Sequence, residues 1–318
     1  MVARGLAVVA ALVFVVAPVS AFGMPAAATR LHLGLLGNPA RFASQTEQRS
    51  STRLMIVGWG QGSTPSYFTG LLSSMLDEPM IGLNTATSAG ERITPAEIAH
   101  GQGDAFLLTL NNALASWGKP VFVRPLAEMN GHWNAYSAFN ADGSSRGPDH
   151  STAMFRKAFA RIYLIVHGSP DVNERLRALH LPPVAQQPQP APNVEVIWNP
   201  QGYGSPDLPA NSAAAYYPGD AYVDVVGDDL YDIGGKAAWA AAGALYAAHP
   251  SKPFAIGEWG LWGVDDAAFV SRMAAFLRDH RRVVVANYYS GKSGSVFDLR
   301  SKPRSLAAYR SLITPLAG

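Results

Sequence analysis

The stretches VFVRPLAE (residues 121–128) and FAIGE (residues 254–258) are short apolar runs that each end in a glutamate. Runs of this length and composition, bounded by turn residues, are typical of buried β-strands. Comparable runs recur along the chain from residue 31 onward. The predicted strands are residues 31–36, 54–58, 80–84, 121–126, 194–198, 222–228, 254–258 and 283–288.

Longer alanine-rich segments separate many of these runs and carry apolar residues at helical spacings of three and four. The predicted helices are residues 105–117, 152–167, 235–248, 265–280 and 305–312. Alternating strands and helices imply an α/β fold with a parallel sheet. Eight strands fit a closed (β/α)8 TIM barrel, so we expect a single domain over residues 30–318. An open, doubly wound sheet is the structural alternative.

The N-terminus has the pattern of a secretory signal. Arg4 precedes an uncharged run over residues 5–17, and a proline and small residues lead to Ala21. We expect a signal peptide over residues 1–21, with Ala28 as an alternative cleavage position, and secretion of the mature chain. The other interpretation is a membrane anchor, but thirteen apolar residues are few for a bilayer span.

The composition narrows the choice of partners. The sequence has no cysteine, which excludes disulfides and thiolate metal sites. Without Arg4, 24 basic residues stand against 23 acidic ones, so no net charge attracts nucleic acid or anionic lipid. We expect a monomer that binds a neutral partner, with no nucleic acid and, after signal removal, no membrane.

Glu128 and Glu258 are candidate catalytic residues because each ends an apolar strand, where a carboxylate is costly to bury. Catalytic groups of a (β/α)8 barrel gather at the C-terminal strand ends, and strands four and seven lie across that mouth. Two carboxyls facing one sugar bond suit glycoside cleavage, in which one protonates the leaving oxygen and the other attacks the anomeric carbon. Retaining enzymes hold the two about 5 to 5.5 Å apart. Either glutamate alone is explained equally well as part of a structural ion pair.

Three motifs resemble segments of glycoside hydrolase family 26, the β-mannanase family. Residues 124–133 (RPLAEMNGHW) resemble its acid/base segment, residues 216–231 (YYPGDAYVDVVGDDLY) its sixth-strand region, and residues 256–260 (IGEWG) its nucleophile strand. The motifs occur in the family's order. Together with the strand at residues 194–198, they give four segments in the same order as in the family, which chance similarity does not explain.

The resemblance implies that Glu128 is the general acid/base, that Glu258 is the nucleophile, and that Tyr231 hydrogen-bonds the nucleophile. Glu128 then needs apolar surroundings, such as Trp133, that raise its pKa. Arg124 lies four residues before Glu128, so strand alternation points it into the barrel. There it supplies charge to Glu258 or serves as a structural ion-pair partner.

Ala127 departs from the family, which places a histidine directly before the acid/base glutamate. A methyl group cannot hydrogen-bond a sugar, although such contacts strengthen in the transition state. By the resemblance we expect a retaining endo-β-glycanase that hydrolyses β-1,4-mannan, and by the signal pattern we expect it to be secreted. The alternatives are the same chemistry on mixed-linkage β-glucan or xylan, and a carbohydrate-binding barrel that has lost catalysis.

Aromatic residues at strand ends are candidates for stacking on sugar rings, although core packing explains each one equally well. Substrate-binding roles are assigned to Trp133 and Trp259, which adjoin the glutamates, and to Trp198 and Asn130. The further aromatic candidates are Trp59, Tyr136, Tyr203, Trp262, Tyr288 and Tyr289. The histidines show no metal-ligand spacing, so we expect neither a metal nor a cofactor.

Overall fold

Parallel strands close into an eight-stranded barrel in the computed structural model, which describes residues 30–62 and 64–317. The strands are β1 (His32–Gly37), β2 (Thr52–Gly58), β3 (Glu78–Asn84), β4 (Val121–Pro125), β5 (Val194–Trp198), β6 (Val225–Ile233), β7 (Phe254–Trp262) and β8 (Val283–Gly291). Strands adjacent in sequence are paired, and β1 pairs with β8. The predicted (β/α)8 barrel is confirmed, whereas the predicted signal peptide lies outside the described residues.

Helices surround the barrel. They are α1 (Pro39–Thr46), α2 (Pro65–Ser73), α3 (Pro95–Ala99), α4 (Asp104–Trp117), α5 (Thr152–His167), α6 (Val172–Ala178), α7 (Trp239–Ala248), α8 (Ala267–Asp279) and α9 (Pro303–Ala308). The sequence pattern predicts α4, α5, α7, α8 and α9, with ends that differ by a few residues. Across residues 30–62 and 64–317, no helix combines the length and apolar character needed to cross a bilayer.

The unpredicted helices α1, α2, α3 and α6 are too short to display a helical period of apolar residues. Their start signals are local. Helices α1, α2 and α3 each begin with a proline, which fits the first helical position because its missing N–H has no partner there. Asn38 caps α1 by accepting the backbone N–H of Arg41 at 2.9 Å, and Thr94 forms a capping box with Glu97 in α3.

The barrel interior changes from apolar to polar toward the C-terminal strand ends. Its apolar layer consists of Leu36, Leu54, Met80, Phe122, Ile197, Val225, Ala255, Val284 and Val285. Beyond this layer, Arg124, Asn199, Asp229 and Asn287 are buried inside the barrel. Buried polar groups are costly unless they are paired, so this layer marks the part of the barrel where polar contacts are needed.

Candidate active site

Glu128 lies on a turn that leaves β4 with an unusual backbone. Leu126 and Glu128 both have positive φ angles, 51° and 53°. These values lie in the left-handed region, which residues other than glycine rarely adopt. The contacts that hold this turn include two at Glu128 itself: its N–H donates to the Asn199 carbonyl at 2.7 Å, and Asn134 Nδ2 donates to its carbonyl at 3.0 Å. Strained backbone of this kind concentrates at functional sites.

The Glu128 carboxyl accepts a hydrogen bond on each oxygen. Trp133 Nε1 donates to Oε2 at 2.6 Å, and Gln201 Nε2 donates to Oε1. Burial and the nearby charge of Glu258 raise the pKa of Glu128, and Arg124 and the Trp133 hydrogen bond oppose this rise. A carboxyl with a raised pKa is suited to hold a proton for a leaving group.

Glu258 lies in a different environment, because its carboxyl contacts a cation and a hydroxyl. Arg124 Nη1 donates to Oε1 at 2.7 Å, and the Tyr231 hydroxyl donates to Oε2 at 2.6 Å. The predicted contact between Tyr231 and Glu258 is therefore confirmed. Burial and the charge of Glu258 hold the pKa of Tyr231 well above its usual value, so its hydroxyl stays protonated and donates.

Arg124 links three strands of the barrel. Its Nη2 pairs with Asp229 on β6, its Nη1 with Glu258 on β7, and its Nε donates to Asn199 Oδ1 at 3.0 Å. Burial opposes the charge of Arg124, but Asp229 and Glu258 raise its pKa, so the guanidinium stays charged. The inward orientation predicted for Arg124 is confirmed. The same guanidinium contacts Glu258 and pairs with Asp229, so its geometry fits both predicted roles.

A β-bulge in β7 turns Glu258 into the barrel. Asp228 pairs with Ile256, whereas the next residue of β6, Asp229, pairs with Glu258. The extra residue is Gly257, which also faces the interior, so two consecutive positions point toward Arg124 instead of alternating. Bulges re-aim side chains in this way beside active sites.

Gly257 is required at the bulge because a side chain there would enter the polar network. A Cβ atom at this position would lie 2.8 Å from Arg124 Nε, 2.9 Å from Asp229 Oδ1, and closer still to Asn199 Oδ1. All three groups are buried. A methyl group would therefore displace the groups that hold Glu258.

We expect Gly257→Ala to lower activity at least tenfold and to destabilise the fold by about 1 to 3 kcal/mol, the usual cost of overpacking. Thermal unfolding and steady-state kinetics measure both effects. Gly243→Ala is the matched control, because a Cβ at that position of α7 meets open space. Unchanged activity and stability in Gly257→Ala would contradict the role given to the bulge.

Both glutamates line one open cleft of about 840 Å³ at the C-terminal strand ends. The predicted placement of both carboxyls in one cleft is therefore confirmed. Trp133, Tyr203 and Trp262 line the same cleft with 48%, 44% and 49% of their surface exposed. The other lining residues are Gln201, Asp229, Leu230, Tyr231, Ile233, Lys236, Ala237, Ala238, Tyr289 and Phe297.

Two tryptophans predicted to bind substrate do not reach the cleft. Trp259 follows the bulge and points outward, where it is fully buried and stacks on Tyr309 with ring centroids 5.5 Å apart. Trp198 follows Ile197, which faces the interior, so Trp198 also points outward and packs against Tyr217. The prediction was wrong because neighbours along a strand lie on opposite faces.

Asn130 was also predicted to bind substrate, and it too is fully buried. Its Nδ2 donates to the carbonyls of Gln201 and Tyr203 at 2.8 and 3.1 Å, and its Oδ1 accepts the Gln201 N–H at 2.9 Å. The Asn130 amide therefore makes these hydrogen bonds within the protein, and the structure does not place it in the cleft. Of the further aromatic candidates, Tyr203, Trp262 and Tyr289 line the cleft, whereas Trp59, Tyr136 and Tyr288 are buried.

Gln201 and Asp229 contact the glutamates but were not assigned site roles from the sequence. Strand alternation places Asp229 on the same face as Tyr231, and this sequence pattern could have indicated a site role for Asp229. Gln201 follows β5 without such a signal, since its contact with Glu128 spans 73 residues. Within residues 30–62 and 64–317, no cluster of three or more His, Asp or Glu side chains could hold a metal ion.

The fold and the site define a (β/α)8 barrel in which carboxyl groups from the turn after β4 and from β7 face one aromatic-lined cleft. No family model matches the chain. Among solved structures, it resembles the Bacillus subtilis mannanase over 89% of this chain and 86% of that chain, with 20% identity and a TM-score of 0.53. A glycoside hydrolase family 26 β-mannanase from Bacteroides ovatus gives 91% and 90% coverage, 15% identity and a TM-score of 0.56. The resemblance stated from the sequence is thus confirmed in the fold.

One curated relative is named for a substrate other than mannan. The chain is 24% identical over 234 residues to Endoglucanase H of Acetivibrio thermocellus. The alignment covers 68% of this chain and 23% of that protein. The chain therefore spans about a quarter of the length of this relative.

Proposed function

We propose that this protein is a retaining endo-β-glycanase of the glycoside hydrolase family 26 type, with Glu128 as the acid/base and Glu258 as the nucleophile. The observation that carries the proposal is the unequal environment of two carboxyls in one cleft. Glu258 receives the Arg124 guanidinium and the Tyr231 hydroxyl, whereas burial raises the pKa of Glu128. Two carboxyls in such different surroundings suit the separate roles of a general acid and a nucleophile.

The proposed reaction has two steps. In the first, Glu258 attacks the anomeric carbon while Glu128 gives its proton to the leaving oxygen, so a glycosyl ester forms as the glycosidic bond breaks. In the second, ionised Glu128 takes a proton from water, the hydroxide oxygen bonds to the anomeric carbon, and Glu258 leaves as a carboxylate. Both displacements invert the anomeric carbon, so the product retains the β configuration.

β-1,4-Mannan is the first candidate substrate, because the sequence motifs and the similar solved structures agree on β-mannanases. The half-exposed rings of Trp133, Tyr203 and Trp262 offer flat apolar faces, which suit a neutral polysaccharide. We also propose that the protein is secreted, from the signal pattern at residues 1–21.

Mixed-linkage β-glucan is the second candidate substrate, favoured by two observations. The curated relative is named an endoglucanase. Ala127 also lacks the histidine side chain that the resemblance leads one to expect before the acid/base glutamate, so this position offers no hydrogen bond that would favour mannose.

The test is hydrolysis of mannan, mixed-linkage β-glucan and xylan by the purified protein, with product sizing and proton NMR of the first product anomer. We expect internal cleavage of one of these polymers and a β-anomer product, with Glu258→Ala as the inactive control. An α-anomer product would contradict retention. Binding of a polymer without hydrolysis would favour the carbohydrate-binding barrel.

A further inference from the structure

We propose that Gln201 is a positioning residue that fixes the plane of the Glu128 carboxyl and sets the pH at which Glu128 releases its proton. This inference rests on the proposed function, since it assigns a role within the same acid/base pair. It concerns a side chain that contributes no atom to the reaction and acts through Glu128.

The contact with Glu128 is direct. Gln201 Nε2 donates to Glu128 Oε1 while Trp133 Nε1 donates to Oε2 at 2.6 Å, so the two oxygens are held by two donors. Two donors on opposite oxygens fix the rotation of the carboxyl group about its last bond. Each also stabilises the ionised form more than the protonated form, because a carboxylate oxygen is the stronger acceptor.

Gln201 is held in place by the same turn that carries the acid/base. Asn130 lies two residues after Glu128, and its side-chain amide accepts the Gln201 N–H and donates to the Gln201 carbonyl at 2.9 and 2.8 Å. Asp228 Oδ1 accepts the next backbone N–H, that of Gly202, at 2.9 Å. Gln201 is only 5% exposed, so its side chain has little freedom to leave Glu128.

Ionised Glu128 is otherwise disfavoured in this cleft. Burial and Glu258 raise the pKa of Glu128, and Arg124, Trp133 and Asp229 lower it. The other titratable groups that interact with Glu128 are Tyr136, Tyr203, Asp228 and Tyr231. A neutral donor at position 201 opposes the rise without adding charge. It therefore favours proton release in the first step and the ionised base in the second.

The test variant is Gln201→Met, which keeps the side-chain length and removes the donor. Loss of a donor to the carboxylate raises the pKa of Glu128, and the first step needs Glu128 protonated. The alkaline limb of kcat/KM should therefore move to higher pH, by roughly one pH unit for a lost hydrogen bond to an ionised group. Carbon-13 NMR titration of the Glu128 carboxyl should move in the same direction.

Two further variants make the test specific. Trp133→Phe removes the donor on the other oxygen and should shift the limb in the same direction. Gln187→Met is the control: Gln187 is exposed and bonds only the Ser169 carbonyl, so no shift is expected. Gln201→Asn, which is too short to reach Glu128, repeats the test should the methionine variant unfold.

A uniform fall in activity at all pH values, with no shift of the limb or of the NMR titration, would overturn the proposal and leave Gln201 as a structural support. This failure is distinct from failure of the proposed function. If the wild type hydrolysed no β-glycan, the NMR titration of Glu128 would still decide the role of Gln201.

Discussion

Glu258→Ala should stop formation of the glycosyl-enzyme and lower turnover by roughly 10⁴- to 10⁶-fold, the range found when single members of a catalytic triad are removed. In the proposed mechanism no remaining group can form the ester, because Glu128 acts on the leaving oxygen and not on the anomeric carbon. Mass spectrometry of protein trapped with a 2-fluoro glycoside, together with steady-state kinetics, measures both effects.

The Glu258→Ala protein should still fold and bind substrate. Arg124 keeps its partner Asp229 and its bond to Asn199, so removal of Glu258 does not leave a buried charge unpaired. Glu174→Ala, at an exposed carboxylate on α6, is the matched control and should retain full activity. Substantial hydrolysis by Glu258→Ala would exclude the double-displacement mechanism.

Glu128→Ala should separate substrates by their leaving groups. Hydrolysis of polysaccharide should fall by about 10²- to 10⁴-fold, because a sugar alkoxide leaves poorly without a proton. A nitrophenyl glycoside needs no protonation, so its first step should proceed at nearly the wild-type rate. The glycosyl-enzyme should then accumulate, since no base activates water, and a burst of nitrophenol would report it.

Added azide should rescue the second step of Glu128→Ala, because it attacks the glycosyl ester without a general base. The product should be a β-glycosyl azide, identified by proton NMR. The same azide experiment on Glu258→Ala should give the α-glycosyl azide, since only one displacement occurs there. Equal loss on both kinds of substrate, without azide rescue, would refute the acid/base role of Glu128.

The barrel could be predicted from the sequence because all eight strands contain apolar runs between turn residues. Strand β6 shows the limit of this method. The predicted range was residues 222–228, and the aspartates at 228, 229 and 232 are untypical of a strand. The structure continues to Ile233, because Asp229 pairs with Arg124 inside the barrel. A buried ion pair between residues 105 positions apart leaves no local pattern.

The sequence predicted the main residues of the candidate site, but the predictions for several surrounding residues were wrong. Glu128, Glu258, Tyr231 and Arg124 came from strand ends, alternation and family motifs, and the structure brings them together. The prediction for Trp259 was wrong because adjacency to Glu258 was taken for proximity to the cleft, whereas the residue after an inward-facing glutamate points outward. Contacts made by the turn after β5 depend on the closed barrel and could not be predicted from local sequence.

The left-handed backbone at positions 126 and 128 has an evolutionary consequence. Each such residue costs about 1 to 3 kcal/mol of folding free energy, and glycine in its place would recover part of it. A lineage that kept the barrel only to bind carbohydrate would gain stability by exchanging Glu128 for glycine. The presence of glutamate, and not glycine, on this backbone is the pattern expected where activity, and not stability alone, matters at position 128.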